Sequence, residues 1–148
     1  MKLAWILWLA NVLPQPVADP ICLTTTIYLE ARNQSILGQR AVAEVALRRV
    51  EDGRWGTSVC SVVTAPRQFA PTLVRADFEI KNPKAWERAA AISFDALRDW
   101  RKPSSTRRQV VPGASHFLVN DLVNRPNWAQ GTPVALIGDH AFYSVTEL

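Results

Sequence analysis

The sequence predicts an α+β domain, mainly helical, with a small antiparallel sheet near its C-terminal end. Two observations predict it. Before residue 101, three segments, 21–31, 36–50 and 83–100, carry apolar residues at helical spacing. After residue 110 the pattern changes to two strand-like runs, 114–119 and 139–145, with the turn signals Asn124-Arg125-Pro126 and Gly131-Thr132-Pro133 between them. Helices followed by strands, rather than alternating with them, is the α+β order. A chain of 148 residues has the length of one domain, and 48% apolar with 20% charged residues excludes general disorder. The net charge of +4 favours an anionic partner without selecting one.

Residues 1–18 read as a unit separate from 19–148. Lys2 precedes an apolar run over 3–13, far short of the roughly 20 residues needed to span a bilayer. Pro14 and Pro16 break that run, and the small Ala18 precedes Asp19. This is the layout of a secretory signal peptide. Kept in place, the segment would serve as an N-terminal anchor, since Trp5 and Trp8 suit a membrane interface. The expected location is therefore the periplasm or cell envelope.

The first helix, 21–31, is apolar nearly all round and should be buried, with tertiary packing offsetting the poor propensity of Thr24, Thr25 and Thr26. Leu23, Ile27 and Glu30 stand at i, i+4 and i+7 and share one face. Glu30 thus lies on an apolar stripe, where desolvation raises a carboxyl pKa and makes it a candidate general acid. The alternative is a structural glutamate paired with Arg32 or Arg49. Ser35 caps the second helix, 36–50. There Arg40, Glu44 and Arg48 read as a charged outer line, and Ala43, Leu47 and Val50 as the inner face.

Residues 55–64 read as a linker with a short apolar piece, and 66–71 as irregular loop. Asn82-Pro83 opens the third helix, whose stripe Trp86, Ala90, Ser93, Leu97 and Trp100 is expected in the core. The basic segment 101–108 is either a solvated connection or a surface for an anionic partner. Cys22 and Cys60 would be small buried residues in a reducing cytosol; in an exported domain the even pair predicts a disulfide worth roughly 3–4 kcal/mol. The spacings C-x-x-C and H-x-x-x-H are absent, so neither a metal nor a cofactor is expected. His116 and His140 read as strand residues packed near Phe117, Phe142 and Tyr143, and a bonded cysteine pair leaves no thiol nucleophile for either.

The block Tyr28-Leu-Glu-Ala-Arg32, followed by Gly38-Gln-Arg-Ala-Val-Ala43 and Arg49-Val50, resembles the opening motif of the spore-cortex-lytic type of cell wall hydrolases. The similarity continues through Cys60-Ser-Val-Val63, Gln68-Phe69, Gly113-Ala-Ser-His-Phe117, Trp128 and Ile137-Gly-Asp-His-Ala-Phe-Tyr143. The resemblance implies a lysozyme-like or resuscitation-promoting-factor-like fold over 19–148 and cleavage of peptidoglycan glycan strands, with Glu30 as the catalytic acid. Tyr28, Gln68, Phe69, His116, Phe117 and Tyr143 are then the expected substrate-binding residues, and Cys22 and Cys60 the disulfide. The expected partner is the glycan strand, with no nucleic acid, a membrane only through an uncleaved leader, and a monomeric state.

Three departures stand out. The family's Glu-Ala-Arg-Gly-Glu is Glu30-Ala-Arg-Asn-Gln34 here, its Asn-Arg-Val is Arg48-Arg-Val50, and its Gln-Phe-Ser-Trp is Gln68-Phe-Ala-Pro71. A glycosidase of the usual kind uses two carboxylates, for which Asp77, Glu79, Asp121 and Asp139 qualify by type. A lytic transglycosylase needs only one acid, which favours that route. A hydrolytic muramidase and a wall-binding protein without turnover are the alternatives, and origin in a bacterium or as a phage endolysin is open.

Overall fold

The structure, a computed structural model, describes residues 1–146. Among these residues five α-helices precede a three-stranded sheet: α1 (Leu3–Val12), α2 (Gln15–Ala31), α3 (Ile36–Asp52), α4 (Val59–Val63) and α5 (Pro83–Trp100), then β1 (His116–Val119), β2 (Ala135–Ile137) and β3 (His140–Tyr143). The α+β, mainly helical class expected from the sequence is the one observed.

Helix α2 is the centre of the molecule. Its Leu23, Ile27 and Ala31 have no exposed surface, and α1, α3, α4 and α5 all pack on it. It begins six residues earlier than the apolar pattern indicated. Pro14 is its N-cap, Pro16 sits in the first turn, and Pro20 is carried inside the helix. An internal proline costs about 3 kcal/mol in a solvated helix, but here burial of Ala18 and Cys22 on either side holds the turn in place. The threonine hydroxyls do not compete for other structure. Thr24, Thr25 and Thr26 each donate to the carbonyl four residues back, at 2.7, 2.7 and 2.9 Å.

The N-terminal segment folds onto the body. Leu3 and Ile6 are fully buried, the Leu3 and Ala4 amides donate to the Phe78 and Ala76 carbonyls, and the Met1 carbonyl accepts from Ile80. Trp5, Trp8 and Val12 lie on the opposite, exposed face of α1. No helix among the described residues is long and apolar enough to cross a membrane.

Three readings of the middle of the chain need correction. Arg40 and Glu44 are not an outer line: they are 2% and 0% exposed. α5 and the segment 108–111 cover that face, so Arg40 reaches Glu44 at 3.2 Å, Asp95 at 3.1 Å and Asp99 at 3.0 Å. Glu44 in turn accepts the Val110 and Val111 amides at 2.8–2.9 Å. The linker 55–64 contains α4, started by a reciprocal Ser58–Ser61 capping box. On α5 the fully buried line is Ala85, Ala89, Ile92, Ser93, Ala96 and Asp99, with Trp86, Ala90, Leu97 and Trp100 at its margins.

Cys22 and Cys60 form a disulfide with a Cα separation of 5.2 Å, joining α2 to α4. The basic segment 101–108 is largely used internally: Lys102 pairs with Asp99, Arg107 with Glu51, and Arg108 with Asp95.

The sheet has the order β1-β3-β2, antiparallel throughout, with Phe117 opposite Phe142 and Ala135 also opposite Phe142. The β2 strand was not foreseen. Its signal is the two-residue turn Gly138-Asp139, with glycine at φ +57 in the first turn position.

Candidate active site

Glu30 lies in the last turn of α2, half-buried, at the edge of the stripe that Leu23 and Ile27 carry into the core. Its Oε1 accepts the Ala70 amide at 2.7 Å. That amide is a free donor because it opens the 3₁₀ turn Ala70–Thr72, where Pro71 supplies no N–H. Burial pushes the carboxyl pKa up, and the Ala70 hydrogen bond opposes this without cancelling it. Among the described residues Glu30 has no ion-pair partner within 4 Å. The paired structural glutamate is therefore not what the fold builds: Arg49 donates to the Ser115 carbonyl at 2.8 Å and to Gln68 at 3.0 Å, and Arg32 turns to Tyr28.

A cleft of about 450 Å³ opens beside Glu30, between the end of α2 and the sheet. Asn33 and Gln34 line one side, and Asn120, Asp121, Asp139 and His140 the other. Gln34 closes one end of it. Its Nε2 donates to Asp139 Oδ2 at 2.9 Å and its Oε1 accepts the Asp139 amide at 3.0 Å. A side chain at position 138 would push Gln34 Oε1 away from the Asp139 amide, and the φ of +57 there favours glycine in its own right. His140 is buried against Phe117, with ring centroids 5.3 Å apart, and burial lowers its pKa while Asp139 partly opposes this. The imidazole facing the cleft is neutral at pH 7.

The other residues expected around the substrate occupy several places. Gln68 is exposed and holds Arg49, whose guanidinium stacks between Trp55 at 4.7 Å and Phe69 at 5.0 Å. Phe69 is 1% exposed and leads directly into Ala70, so Gln68 and Phe69 fix the amide that Glu30 accepts. Phe117 bridges Phe69 and His140. His116 is buried between Trp55 and Trp128 beside the Ser115 hydroxyl; burial first, then Arg49 and Arg54, lower its pKa to about 4. Tyr143 is buried and its hydroxyl accepts from Arg125 at 2.7 Å. Tyr28 is 2% exposed on the far side of α2, where its hydroxyl accepts the Asn82 amide. Of the cleft residues, Asn120 is one that the sequence did not single out, while Asn33 entered only as a departure from the family pattern, Asp121 only by residue type and His140 only as a packed strand residue. The signal for His140 was its place in the last motif block.

The four acidic candidates for a second carboxylate separate. Asp121 and Asp139 line the Glu30 cleft, whereas Asp77 and Glu79 line a different pocket beyond Tyr28. The three sequence departures all take structural work: Gln34 holds the β2–β3 turn, Arg48 donates to the Ala114 carbonyl and Gln109, and Ala70 supplies the amide to Glu30. No metal-holding group of three or more His, Cys, Asp or Glu residues occurs among the described residues.

No curated protein and no solved structure matches the chain. A sequence model of one family does, over residues 33–143. That span runs from the end of α2 through β3 and includes the cleft walls at Gln34, Asn120, Asp121, Asp139 and His140; Glu30 stands three residues before it. With three quarters of its length in this match, from the cleft's Gln34 to the strand that closes it, the chain belongs to the cell wall hydrolase family.

Proposed function

We propose that this protein is an exported enzyme that cleaves peptidoglycan glycan strands between N-acetylmuramic acid and N-acetylglucosamine, with Glu30 as its catalytic acid. The observation that carries the reading is a single half-buried carboxyl with a raised pKa, without an ion-pair partner among the described residues, at the wall of an open cleft. Family membership makes the wall the substrate, and the disulfide fits an oxidising compartment.

The lytic transglycosylase route uses the fewest groups. Glu30 gives its proton to the glycosidic oxygen as the C1–O bond breaks, and the resulting carboxylate then takes the proton of the same sugar's C6 hydroxyl. The C6 oxygen bonds to C1, leaving a 1,6-anhydro muramic end and restoring the acid. No water is consumed. His140, neutral, and Asn120 stand where they can hydrogen-bond the sugar, and Phe117 backs His140. The hydrolytic alternative rests on Asp121, which shares the cleft and has no side-chain hydrogen bond among the described residues, so it could direct a water. Digestion of purified peptidoglycan by wild-type protein should yield 1,6-anhydro ends. Reducing muramic ends alone would keep Glu30 and make the enzyme a muramidase, and binding without any cleavage would leave a wall-binding protein.

For the leader, α1 supports retention as an N-terminal anchor over removal. Ala10 and Ala18 belong to the main core, and cutting after residue 18 would sever α2 within its second turn. The exposed Trp5, Trp8, Leu9 and Val12 then form the face that meets the membrane interface. The mature protein should carry residues 1–18 in its intact mass; a mass that begins at Asp19 would reverse this.

A further inference from the structure

The last turn of α2 has a second working face. Residues 28 and 32 stand on the same side of the helix, about 40° apart, while residue 30 lies roughly opposite, at about 200° from each. On that second side is a pocket of about 700 Å³, lined by Tyr28, Arg32, Phe78, Lys81 and Asn82 and also by the two acids Asp77 and Glu79. Arg32 is its organised group. The guanidinium carbon is 5.1 Å from the Tyr28 ring centroid and 5.8 Å from that of Phe78. Tyr28 is itself fixed, buried against Trp86 and hydrogen-bonded to the Asn82 amide at 3.2 Å.

The charges in this pocket do not cancel locally. Asp77 is engaged by Arg75 at 3.1 Å, and Glu79 by the Met1 amine at 3.2 Å. Arg32 and Lys81 have no acidic partner within 4 Å among the described residues. One nitrogen of the Arg32 guanidinium donates to the Tyr28 carbonyl at 3.4 Å. A planar, exposed guanidinium held over aromatic rings, with no acidic partner among the described residues, suits a carboxylate bound in bidentate fashion through its remaining donors. The rings also supply an apolar floor for a small side chain.

We propose that this pocket binds carboxylates of the peptide stems attached to the muramic acid residues of the substrate, so that the enzyme grips the stem on one face of α2 while Glu30 acts on the glycan at the other. The inference rests on the proposed glycan-strand activity for its ligand. The reach is adequate. A helix with its side chains is about 10–12 Å across, and a stem of four or five residues extends to roughly 13–18 Å. Arg32 is exposed at the C-cap of α2, so replacing it leaves the core untouched.

The test compares Arg32→Gln with wild type on two substrates: intact peptidoglycan, and glycan strands from which an amidase has removed the peptides. Arg32→Gln should raise KM on intact material about 10-fold with kcat unchanged, and should change neither constant on stripped strands. Equal effects on both substrates, or none on either, would overturn the proposal. In parallel, wild-type protein is titrated with a free acidic stem tetrapeptide and with the same peptide amidated at its carboxyls. The acid form should bind more tightly, and Arg32→Gln should abolish the difference; equal binding of acid and amide would also overturn it. If wild-type protein cleaves neither substrate yet shows the Arg32-dependent preference for the acid peptide, the glycan-strand reading falls and the stem-binding pocket stands.

Discussion

Glu30→Gln should abolish clearing of peptidoglycan, with turnover down at least the roughly 10²–10⁴-fold typical of lost general acid–base catalysis, while the protein stays folded. The amide keeps the shape of the side chain and can still accept the Ala70 hydrogen bond, but it has no proton to give. The stability readout separates catalysis from structure. Glu30 has its folded pKa raised above the unfolded value of 4.5, with burial as the larger cause. A group of this kind contributes stability that is fully present below pH 4.5 and is lost as pH rises through the folded pKa. Removing the charge removes that loss, so Glu30→Gln should gain stability relative to wild type as pH rises above 4.5. Activity should fall over the same window, because the protonated form is the acid. Denaturant unfolding and a clearing assay across pH check both. A folded Glu30→Gln protein that still clears the wall would sink the assignment.

Arg40→Met should lower stability by about 3–5 kcal/mol, the usual result of removing one partner from a buried charge cluster. Arg40 is the hub of that cluster: Glu44, with no exposed surface, and Asp99 at 6% both depend on it, and it also donates to the Arg108 carbonyl. Methionine fills a similar volume, so the loss reports charge rather than space. Asp95→Asn is the control. Asp95 sits at the solvent edge of the same network, where an ion pair is worth at most about 1 kcal/mol. Urea unfolding of the two variants should therefore differ severalfold in effect. Near-equal small losses would mean that water reaches Arg40. Asp99 adds a pH signature. Lys102 first, and Arg40 with it, hold its carboxyl below the usual value of 3.8, so this contribution is present above pH 3.8 and fades as the solution is acidified through the lowered pKa.

Much of this protein is written in local pattern. Helical spacing located α3 and α5 to within a few residues, the change to strand-like runs located β1 and β3, and an even cysteine pair behind an apolar leader anticipated the Cys22–Cys60 bond. The partly buried place of Glu30 at the edge of an apolar stripe was legible for the same reason: three residues at i, i+4 and i+7 share a face whatever the rest of the chain does. Its catalytic role, in contrast, was read from the family resemblance. Periodicity encodes which residues lie together on an element, and that depends on backbone geometry alone. It does not encode what covers the element. Arg40 and Glu44 had the spacing of a solvated ion-pair line, and only the approach of Asp95 and Asp99, 55 and 59 residues from Arg40, turned that line inward. The matching spacing of Asp95 and Asp99 on α5 was the one sequence hint. The same limit governs the site. The Ala70 amide reaches Glu30 across 40 residues, and Gln34 reaches Asp139 across 105. Tyr28 was expected at the substrate beside Glu30, yet helix geometry turns it and Arg32 about 200° away from that residue, and the pocket they face was decided by Phe78 and Asn82 folding over them. Long-range packing sets the dielectric and the partners of each charged group, and those are the quantities that make a carboxyl structural or reactive.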